Sequence, residues 1–464
     1  MRLTGWDEAH VLRAANLARR VHRPRLTLKW LHARIRPEAG LRQSPASPEE
    51  VCEYAVGLHR IGAYREALEL LEAPGVDAAP QARLYQAFTH FAQWDYGRGL
   101  TLIESYLRHP GLTDVYQRRV GLINQIAALV FLEDYTRALA VADPLLEELR
   151  RDQQSLLWAN LLELRSQIHI GRGDLSSARQ ELKEARELLQ SFETVEGLFV
   201  EKWTAIVDAL ERKDPEVLQD FRGRALKLGH WETLRDLDFY RLKIAPNERE
   251  FRWLYFGTPY PAYRRRLEQE FATRFAPPAD GWVGYGDGAH VEIDPLRVGD
   301  EVGEISHRIL VLLLRDFYKP QRVGEIFSAL FADEYFNPTS SVNRVHQNMK
   351  RAREFIETLG WPIRLEERDG GYGIRLGEQT KLFARVHPLP LTTEGLVLES
   401  LRPHFGEKDF SAQEVAVALG ASLAKAGRLL KRASESAQIE KTGAGKNTRY
   451  RLISPAGIAN GDSF

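Results

Sequence analysis

A recurring pattern of helix starts marks the first half of the chain. Four similar segments begin at Tyr64, Tyr96, Tyr135 and Leu175, and a fainter fifth begins at Pro215. Similar lengths of chain separate successive starts, and each start follows a turn-forming dipeptide, which is GA, WD, ED, GD or KD. A regular period of this kind indicates helical hairpins that bury their apolar faces against neighbouring hairpins. The recurrence therefore predicts an α-solenoid.

The repeat resembles the tetratricopeptide repeat, with longer helices. Its spacing mostly exceeds the period of about 34 residues typical of that family, and no copy carries the complete signature. The resemblance implies a solenoid of helical hairpins over residues 1–245 that binds a partner protein or peptide. A core role, rather than a peptide pocket, is favoured for the aromatic residues that share one helical face: Tyr85, Phe88, Phe91 and Trp94.

A basic helix followed by a hairpin is predicted between Asn337 and Leu376. Asn337 suits the N-cap, Pro338 the first turn and Gly360 a left-handed C-terminal position. From the cap onward, no acidic residue occurs before Glu354. The apolar residues that recur at helical spacing are Val342, Val345, Met349, Ala352 and Ile356. The opposite, cationic face suits contact with DNA phosphates and base edges.

Residues 289–378 resemble the winged-helix effector domain of OmpR/PhoB-type bacterial response regulators. The matching parts, in order, are a strand at His290–Asp294, helices at Ile305–Leu314 and Val323–Phe331, the recognition helix at Val342–Ile356 and the hairpin pair Gly371 and Tyr372. The sequence contains no phosphoacceptor receiver domain, so the resemblance implies no phosphorylation switch.

This resemblance implies a set of DNA contacts. The side chains expected to face the major groove or its phosphates are Arg344, Asn348, Lys350 and Arg351. Asn343 and Gln347 are the better candidates for reading base edges if the helix is rotated slightly. Arg375 of the hairpin is expected on the minor-groove side.

A shorter version of the same pattern occupies residues 385–456. Thr392 suits the N-cap of a first helix, Ser411 and Glu414 have capping-box spacing for a second, and Gly420 ends that second helix. A third, basic helix and two strands follow, which predicts a second winged helix. Its expected DNA contacts are Lys425, Arg428, Lys431, Arg432, Lys446 and Arg449.

Basic residues opposite an apolar stripe are usually a solvated helix face, and winged helices also serve as protein-interaction modules. The one-sign charge of both third helices and the presence of two such domains in tandem favour DNA.

Residues 246–288 are predicted to connect the two halves of the chain. The stretch through Phe275 is rich in aromatic residues, and we expect a helix or a packed connector there. Residues 276–288 contain adjacent prolines and four glycines, which indicates a linker.

The N-terminal end is strongly basic. Between Ala9 and Pro37 there are eight arginines and lysines and no acidic residue. Because the whole chain has a formal net charge of zero, such an end requires an acidic region elsewhere. Two interpretations stay open: a further surface for an anionic partner, or the basic cap of an otherwise acidic solenoid.

Enzyme chemistry finds little support in the sequence. Cys52 is the only cysteine, so the sequence provides no disulfide framework and no cysteine zinc site. His290, Glu292 and Asp294 alternate along a strand, where a solvent-facing role is favoured over metal binding. Residues 443–447 resemble the end of a phosphate-binding loop but lack the upstream glycine and the final Ser or Thr. We predict no enzyme activity and no catalytic, cofactor-binding or metal-binding residues.

The predicted fold is mainly α, with an N-terminal α-solenoid followed by two α+β winged-helix domains. No apolar run is long enough to span a bilayer, and no signal peptide precedes the first helix. A cytoplasmic location without membrane contact is therefore expected.

Two functions remain open at this point. The first is a bacterial-type transcription regulator whose tandem winged helices contact duplex DNA and whose helical repeats bind a regulatory protein or peptide. The second is an adaptor that uses both parts for protein–protein interaction and does not bind DNA. Salt dependence separates them, because phosphate contacts release counterions. Either function is compatible with a homo-oligomer.

Overall fold

The computed structural model describes residues 7–37, 45–189, 195–277, 282–285, 289–296, 298, 301–368, 370–376, 380–385, 391–406, 408–435 and 437–453. The chain divides into two units. Unit 1 comprises residues 1–276, 322–328 and 333–342, and unit 2 comprises residues 277–321, 329–332 and 343–464.

Helices dominate the described chain as far as Ala276. In chain order they are α1 (Glu8–Arg20), α2 (Pro24–Ile35), α3 (Pro48–Ile61), α4 (Tyr64–Leu71), α5 (Gln81–Phe91), α6 (Tyr96–Leu107), α7 (Val115–Phe131), α8 (Tyr135–Arg151), α9 (Ser155–Gly171), α10 (Leu175–Leu188), α11 (Val195–Arg212), α12 (Gln219–Leu228), α13 (Trp231–Ile244), α14 (Glu248–Phe256) and α15 (Pro261–Phe271). The predicted starts at Tyr64, Tyr96, Tyr135 and Leu175 are confirmed, and the fifth, at Pro215, begins a short 3-10 turn that leads into α12.

One type of backbone turn precedes the second helix of each pair. Gly62, Trp94, Glu133, Gly173 and Lys213 all have positive φ and lie two residues before the next helix or turn begins. At the second of these turns, the Trp94 N–H bonds to the Phe91 carbonyl at 3.0 Å and the Asp95 N–H to the His90 carbonyl at 3.0 Å. This is a Schellman C-cap. The side chains that then accept a hydrogen bond from the first turn that follows are Asp95, Asp134, Asp174 and Asp214.

All five dipeptides that mark the sequence repeat therefore begin with a left-handed residue, and in four of them an aspartate that caps the next helix or turn follows. The turn satisfies carbonyls at the end of one helix and N–H groups at the start of the next, so each helical pair is specified by local chemistry.

Aromatic rings join the early helical pairs to α15. The Trp94 ring packs edge-on against Tyr263, with centroids 4.6 Å apart, and stacks at 6.4 Å with Tyr260. Tyr96 stacks on Phe131 at 4.3 Å, and Trp94 Nε1 donates to Glu232 at 3.1 Å. Trp94 is buried. The aromatic side chains that instead pack around the core formed by α5 and α6 are Tyr85, Phe88 and Phe91.

The stretch through Phe275, where a helix or a packed connector is expected, forms two packed helices. Residues 246–276 contain α14 and α15, and these helices belong to unit 1. Their aromatic residues complete a core whose other members lie much earlier in the chain, as the contact of Tyr263 with Trp94 shows. Helix α13 is enclosed as well, because residues 233–237 are all buried and lie on every side of the helix.

Both helices and strands follow residue 277. They are β1 (Trp282–Tyr285), β2 (Ala289–Ile293), α16 (Ile305–Leu313), β3 (Gln321–Arg322), α17 (Val323–Leu330), α18 (Ser340–Thr358), β4 (Ile363–Arg368), β5 (Gly371–Leu376), β6 (Thr380–Arg385), α19 (Thr393–Phe405), α20 (Ala412–Leu419), α21 (Leu423–Glu435), β7 (Ile439–Thr442) and β8 (Arg449–Leu452).

The strands form three small sheets. β6 lies between β1, to which it is antiparallel, and β2, to which it is parallel. A second sheet has the order β3, β5, β4, with β4 and β5 antiparallel, and β7 pairs with β8 in an antiparallel hairpin. The predicted linker at 276–288 is thus wrong at Trp282–Tyr285, which is a strand. Its partner is β6, far along the chain, and local sequence does not show such a pairing.

Residues 322–328 and 333–342 pack against α2, α3 and α4 within unit 1. The Phe336 N–H donates to the buried Glu66 carboxylate at 2.7 Å, and the Arg65 guanidinium donates to the Glu334 carbonyl at 3.1 Å. At Gly324 an added Cβ would lie 2.5 Å from the Ile61 carbonyl oxygen. These contacts attach a late segment of the chain to its earliest helical pairs.

Candidate nucleic-acid interface

Helix α18 is fixed by a cap and by its apolar face. The Asn337 side chain accepts hydrogen bonds from the N–H groups of Thr339 and Ser340, at 2.9 and 3.0 Å. The side chains of this face that the structure buries are Val342, Val345, Met349, Ala352 and Ile356. Both the predicted cap and the predicted apolar stripe are therefore observed, and they determine which side of the helix meets solvent.

The hairpin β4–β5 is held against this helix. Tyr372 is buried, and its hydroxyl is hydrogen bonded to His346 Nδ1 at 2.5 Å. At Gly371 an added Cβ would lie 3.1 Å from the Gln321 carbonyl oxygen, so this position favours glycine. Arg353 Nε donates to the Leu365 carbonyl at 3.2 Å. The side chains of His346 and Arg353 on α18 thus position the hairpin.

The solvent-facing side of α18 presents a continuous polar and basic surface. The exposed residues are Asn343, Arg344, Gln347, Lys350 and Arg351. The Arg344 guanidinium lies 3.5 Å from the centroid of the Phe331 ring, which restrains its position. Lys350 lies 4.0 Å from Glu354, and both side chains are exposed, so this ion pair is weak. Arg351 has no ion pair among the described residues.

Asn348 does not belong to this surface. Its side chain is only 5% exposed, and its amide nitrogen donates to the Arg344 carbonyl at 2.8 Å. Position 348 lies three positions after Val345 and four before Ala352, and both of these face the core. The prediction that Asn348 contacts DNA is therefore wrong. A polar side chain suggests an exposed position, but this residue lies on the inner side of the helix.

On the hairpin, Arg375 is exposed and lies 3.4 Å from Glu366 of the neighbouring strand. An exposed pair of this kind is worth at most about 1 kcal/mol, so Arg375 can exchange its partner at small cost.

The second basic helix, α21, has a different electrostatic environment. Lys425 lies 3.2 Å from Glu304, and its side chain is partly buried. Arg432 lies 3.6 Å from Glu394, and Arg449 of β8 lies 2.8 Å from Glu414. Acidic side chains from the segment before α16, from α19 and from α20 thus pair with these cations. In the sequence, by contrast, α21 carries charge of one sign over most of its length.

Two further predicted contacts on α21 are exposed, namely Arg428 and Lys431, and Lys431 lies 3.8 Å from Glu435. The Lys446 side chain lies outside the described residues. Aliphatic side chains are also exposed beside this helix: Val417 is 74% and Leu423 53% exposed. The surface around α21 is accordingly more apolar and closer to charge balance than that of α18.

A hydrogen-bond network missed by the sequence interpretation joins α16 to the end of α17 and to the start of α19. Arg308 of α16 donates to the Leu391 carbonyl at 2.6 Å and to the Ala329 carbonyl at 3.0 Å. The Thr393 hydroxyl donates to the Gly303 carbonyl at 2.8 Å. One partly buried cation on α16 therefore holds the end of α17 and the start of α19, and no local pattern in the sequence indicates it.

His307, next to that arginine, anchors the chain before α16. The Gly303 N–H donates to its Nδ1 at 2.9 Å, so Nε2 carries the proton and donates to the Pro295 carbonyl at 2.6 Å. The side chain is fully buried, and this burial lowers the pKa of His307 to about 4. The neutral imidazole is therefore the form that the fold selects.

The described residues offer few candidates for a metal site or for a reactive thiol. Within the described ranges, no group of three or more His, Cys, Asp or Glu side chains is arranged to hold a metal ion. Cys52 is buried, and burial raises the pKa of its thiol to about 12, which disfavours the reactive thiolate. In the part of the chain that the structure describes, no helix is both long and apolar enough to cross a membrane.

Comparison with known proteins assigns no family to this chain. No protein-family model matches it, and no curated protein matches its sequence. A structural alignment with the crystal structure of yeast Tom70 covers 92% of this chain and 95% of that chain, at 10% sequence identity and a TM-score of 0.20. A TM-score this low carries no argument about fold or function.

Proposed function

We propose that this chain is a DNA-binding regulator of the bacterial type, in which α16–α18 and the hairpin β4–β5 act as a winged helix. The observation that carries the proposal is the exposed face of α18. Asn343, Arg344, Gln347, Lys350 and Arg351 share that face, and no acidic residue occurs between Ser340 and Arg353.

Such a face matches the chemistry of the major groove. Cationic side chains on phosphates release condensed counterions, and the amides of Asn and Gln can pair with the edge of an adenine. Arg344 is already restrained against Phe331, so less side-chain entropy is lost when it binds. In this proposal Arg375 of the hairpin approaches the neighbouring minor groove.

The helical pairs of unit 1 supply the part that receives a regulatory protein. Stacked helical hairpins offer extended surfaces for protein partners. The regulator would then combine a sensor of protein partners with a DNA contact, in a cytoplasmic setting.

The test is duplex binding by the full chain, with a pool of short random-sequence duplexes and a salt series. We expect Lys350→Glu/Arg351→Glu to weaken binding at least tenfold. The slope of log affinity against log salt should become shallower by up to about 1.8, since each phosphate contact contributes about 0.9.

A matched control is Lys183→Glu/Lys227→Glu, which reverses two exposed charges on α10 and α12. Binding should stay within twofold of the parent chain in this variant. Equal losses in both variants, or no binding by the parent chain at the lowest salt of the series, would contradict the proposal.

A second candidate function is the protein adaptor, and the surface around α21 favours it. Exposed Val417 and Leu423 gain nothing from phosphates, whereas a protein partner would bury them. The cations Lys425 and Arg432 already have carboxylate partners. Absence of DNA binding in the salt series would leave the adaptor as the function that these observations support.

A further inference from the structure

The basic N-terminal end separates into two sets of side chains. One set is structural: Arg19 Nε lies 2.5 Å from Glu53, Arg34 lies 3.1 Å from Glu50, and the carboxylates of both pairs are buried. These pairs join α1 and α2 to α3. The interpretation of this end as a basic cap on the helical repeats accounts for them.

The other set faces solvent around the turn between α1 and α2. We define the α1–α2 patch by three of the exposed cations and three exposed aliphatic residues, which are Leu17, Arg20, Val21, Arg25, Leu26 and Lys29. Leu17 is 62% and Val21 56% exposed. Among the described residues, none of the three cations of the patch has an ion pair.

Hydrogen bonds hold the turn between α1 and α2 that carries the patch. The Arg23 N–H bonds to the Ala18 carbonyl at 2.7 Å across the turn, and the buried Thr27 hydroxyl donates to the Ala15 carbonyl at 2.8 Å. These bonds fix the crossing of α1 and α2. Leu17, Arg20 and Val21 occupy adjacent positions at the end of one helix, while the other members begin the next, so cations flank the aliphatic side chains.

We propose that the α1–α2 patch is a docking surface for an acidic protein segment with aliphatic side chains. Charge complementarity supplies the first reason, because no acidic residue occurs between Ala9 and Pro37. The aliphatic side chains supply the second. They would gain burial against an amphipathic helix, which duplex phosphates do not provide.

An anionic membrane surface fits the patch less well. Interfacial binding relies on a broad apolar face on which Leu is accompanied by large aromatic side chains such as Trp and Phe. The patch exposes only Leu and Val, and the nearby Trp30 is half-buried. This proposal concerns unit 1 and does not depend on DNA binding by α18.

The test uses the full chain and a labelled model peptide that forms several helical turns, with glutamate on one face and leucine on the other. A sister peptide carries glutamine in place of leucine. We expect the glutamate–leucine peptide to bind at least tenfold more tightly than the sister peptide. We expect two double variants to bind the glutamate–leucine peptide at least tenfold more weakly than the parent chain does. They are Leu17→Gln/Val21→Gln and Arg20→Gln/Arg25→Gln.

Two controls separate docking from folding. Lys183→Gln/Arg186→Gln removes two exposed cations on α10 and should leave peptide binding unchanged. Arg20→Lys/Arg25→Lys keeps the charge and should retain binding. Melting temperatures close to that of the parent chain identify variants that are folded.

Three outcomes would overturn the proposal. Equal binding of the two peptides would mean that charge alone acts. Binding to mixed vesicles of phosphatidylcholine and phosphatidylglycerol, lost in the same variants while peptide binding is absent, would assign the patch to membranes. Loss of duplex DNA binding in the patch variants without peptide binding would assign it to nucleic acid.

Discussion

His307 shows how one buried side chain couples the fold to pH. Its two ring nitrogens have backbone partners on the segment that precedes α16, and the geometry requires the neutral ring. Protonation would place a donor at Nδ1 against the Gly303 N–H and would introduce a buried charge. A single imidazole thus makes the stability of this part of unit 2 depend on pH.

We expect the stability of unit 2 to fall below neutral pH. The pKa of His307 is about 4 in the fold and about 6.5 when unfolded, so between these values the unfolded chain binds more protons. The contribution is complete above pH 6.5 and declines as pH falls toward 4, by at most about 3 kcal/mol. Urea unfolding at pH 7.5 and pH 5.0 measures it.

His307→Leu is the comparison variant. It removes the titrating group, so its free energy of unfolding should change less between the two pH values. The variant is expected to be less stable at pH 7.5 by about 1–3 kcal/mol, because the Pro295 carbonyl and the Gly303 N–H lose a partner. The same loss on acidification in both proteins would refute the assignment.

Other single residues show where a sequence is ambiguous. Exposed Arg351 and buried Asn348 are both polar residues on α18, and only the helical phase relative to Val345 and Ala352 separates them. The helical phase places Asn348 correctly among the buried residues if the buried face of α18 is taken to be broad enough to include position 348. Lys425 was not separable in this way, since its partner Glu304 lies far earlier in the chain.

At the scale of the element, the Schellman turns give unit 1 its regularity. Three of the five left-handed positions carry a side chain, at Trp94, Glu133 and Lys213. The left-handed conformation costs roughly 1–2 kcal/mol for such residues, whereas glycine at Gly62 and Gly173 adopts it without this strain. The turn is maintained because the capping bonds on both sides outweigh the local cost.

Because of this difference, we expect a change to glycine at one turn and a change from glycine at another to have opposite effects on the free energy of unfolding. Lys213→Gly should raise the free energy of unfolding by about 0.5–1 kcal/mol by removing strain, and Gly173→Ala should lower it by about 1 kcal/mol. Thermal and urea unfolding of the full chain measure both.

The control for these changes is Gly223→Ala within α12, where an added Cβ meets nothing within 4 Å. It should stabilise the protein by up to about 1 kcal/mol, because alanine favours the helix. A destabilising Lys213→Gly would show that its left-handed conformation carries no strain that glycine relieves.

The elements also show how far the sequence predicts the fold. Helix starts at Tyr64, Tyr96, Tyr135 and Leu175 were accessible because cap and turn chemistry is local. Strands β1 and β6 were not, because each is stabilised by a partner distant in sequence. The enclosure of α13 was equally hidden, since its sequence does not show which neighbours surround it.

At the scale of the whole molecule, unit 1 includes two segments from the second half of the chain. Residues 322–328 and 333–342 belong to it, and chain segments of unit 2 precede and follow them. Glu66 of α4 is central to this arrangement. It accepts the Phe336 N–H, lies 3.4 Å from Arg36, and is buried. The domain boundary that the sequence analysis places at residue 289 stays a prediction.

We expect Glu66→Ala to lower the free energy of unfolding by about 2–4 kcal/mol, since it leaves the Phe336 N–H and the Arg36 cation without their buried acceptor. Glu69→Ala on the same helix removes an exposed partner of Arg65 and should cost at most about 0.5 kcal/mol. Urea unfolding of the two variants beside the parent chain measures the contrast. Similar small losses in both would show that the Glu66 contact contributes little.

The return of the chain to unit 1 bears on how such a protein can change during evolution. A recombination event near residue 276 that replaced everything upstream would separate Phe336 and Gly324 from the helices that fit them. The two halves therefore cannot be exchanged freely between genes as independent modules. Solvent-facing positions such as Gln347 and Leu17 carry no such constraint. Point substitutions at such positions leave these contacts within unit 1 unchanged.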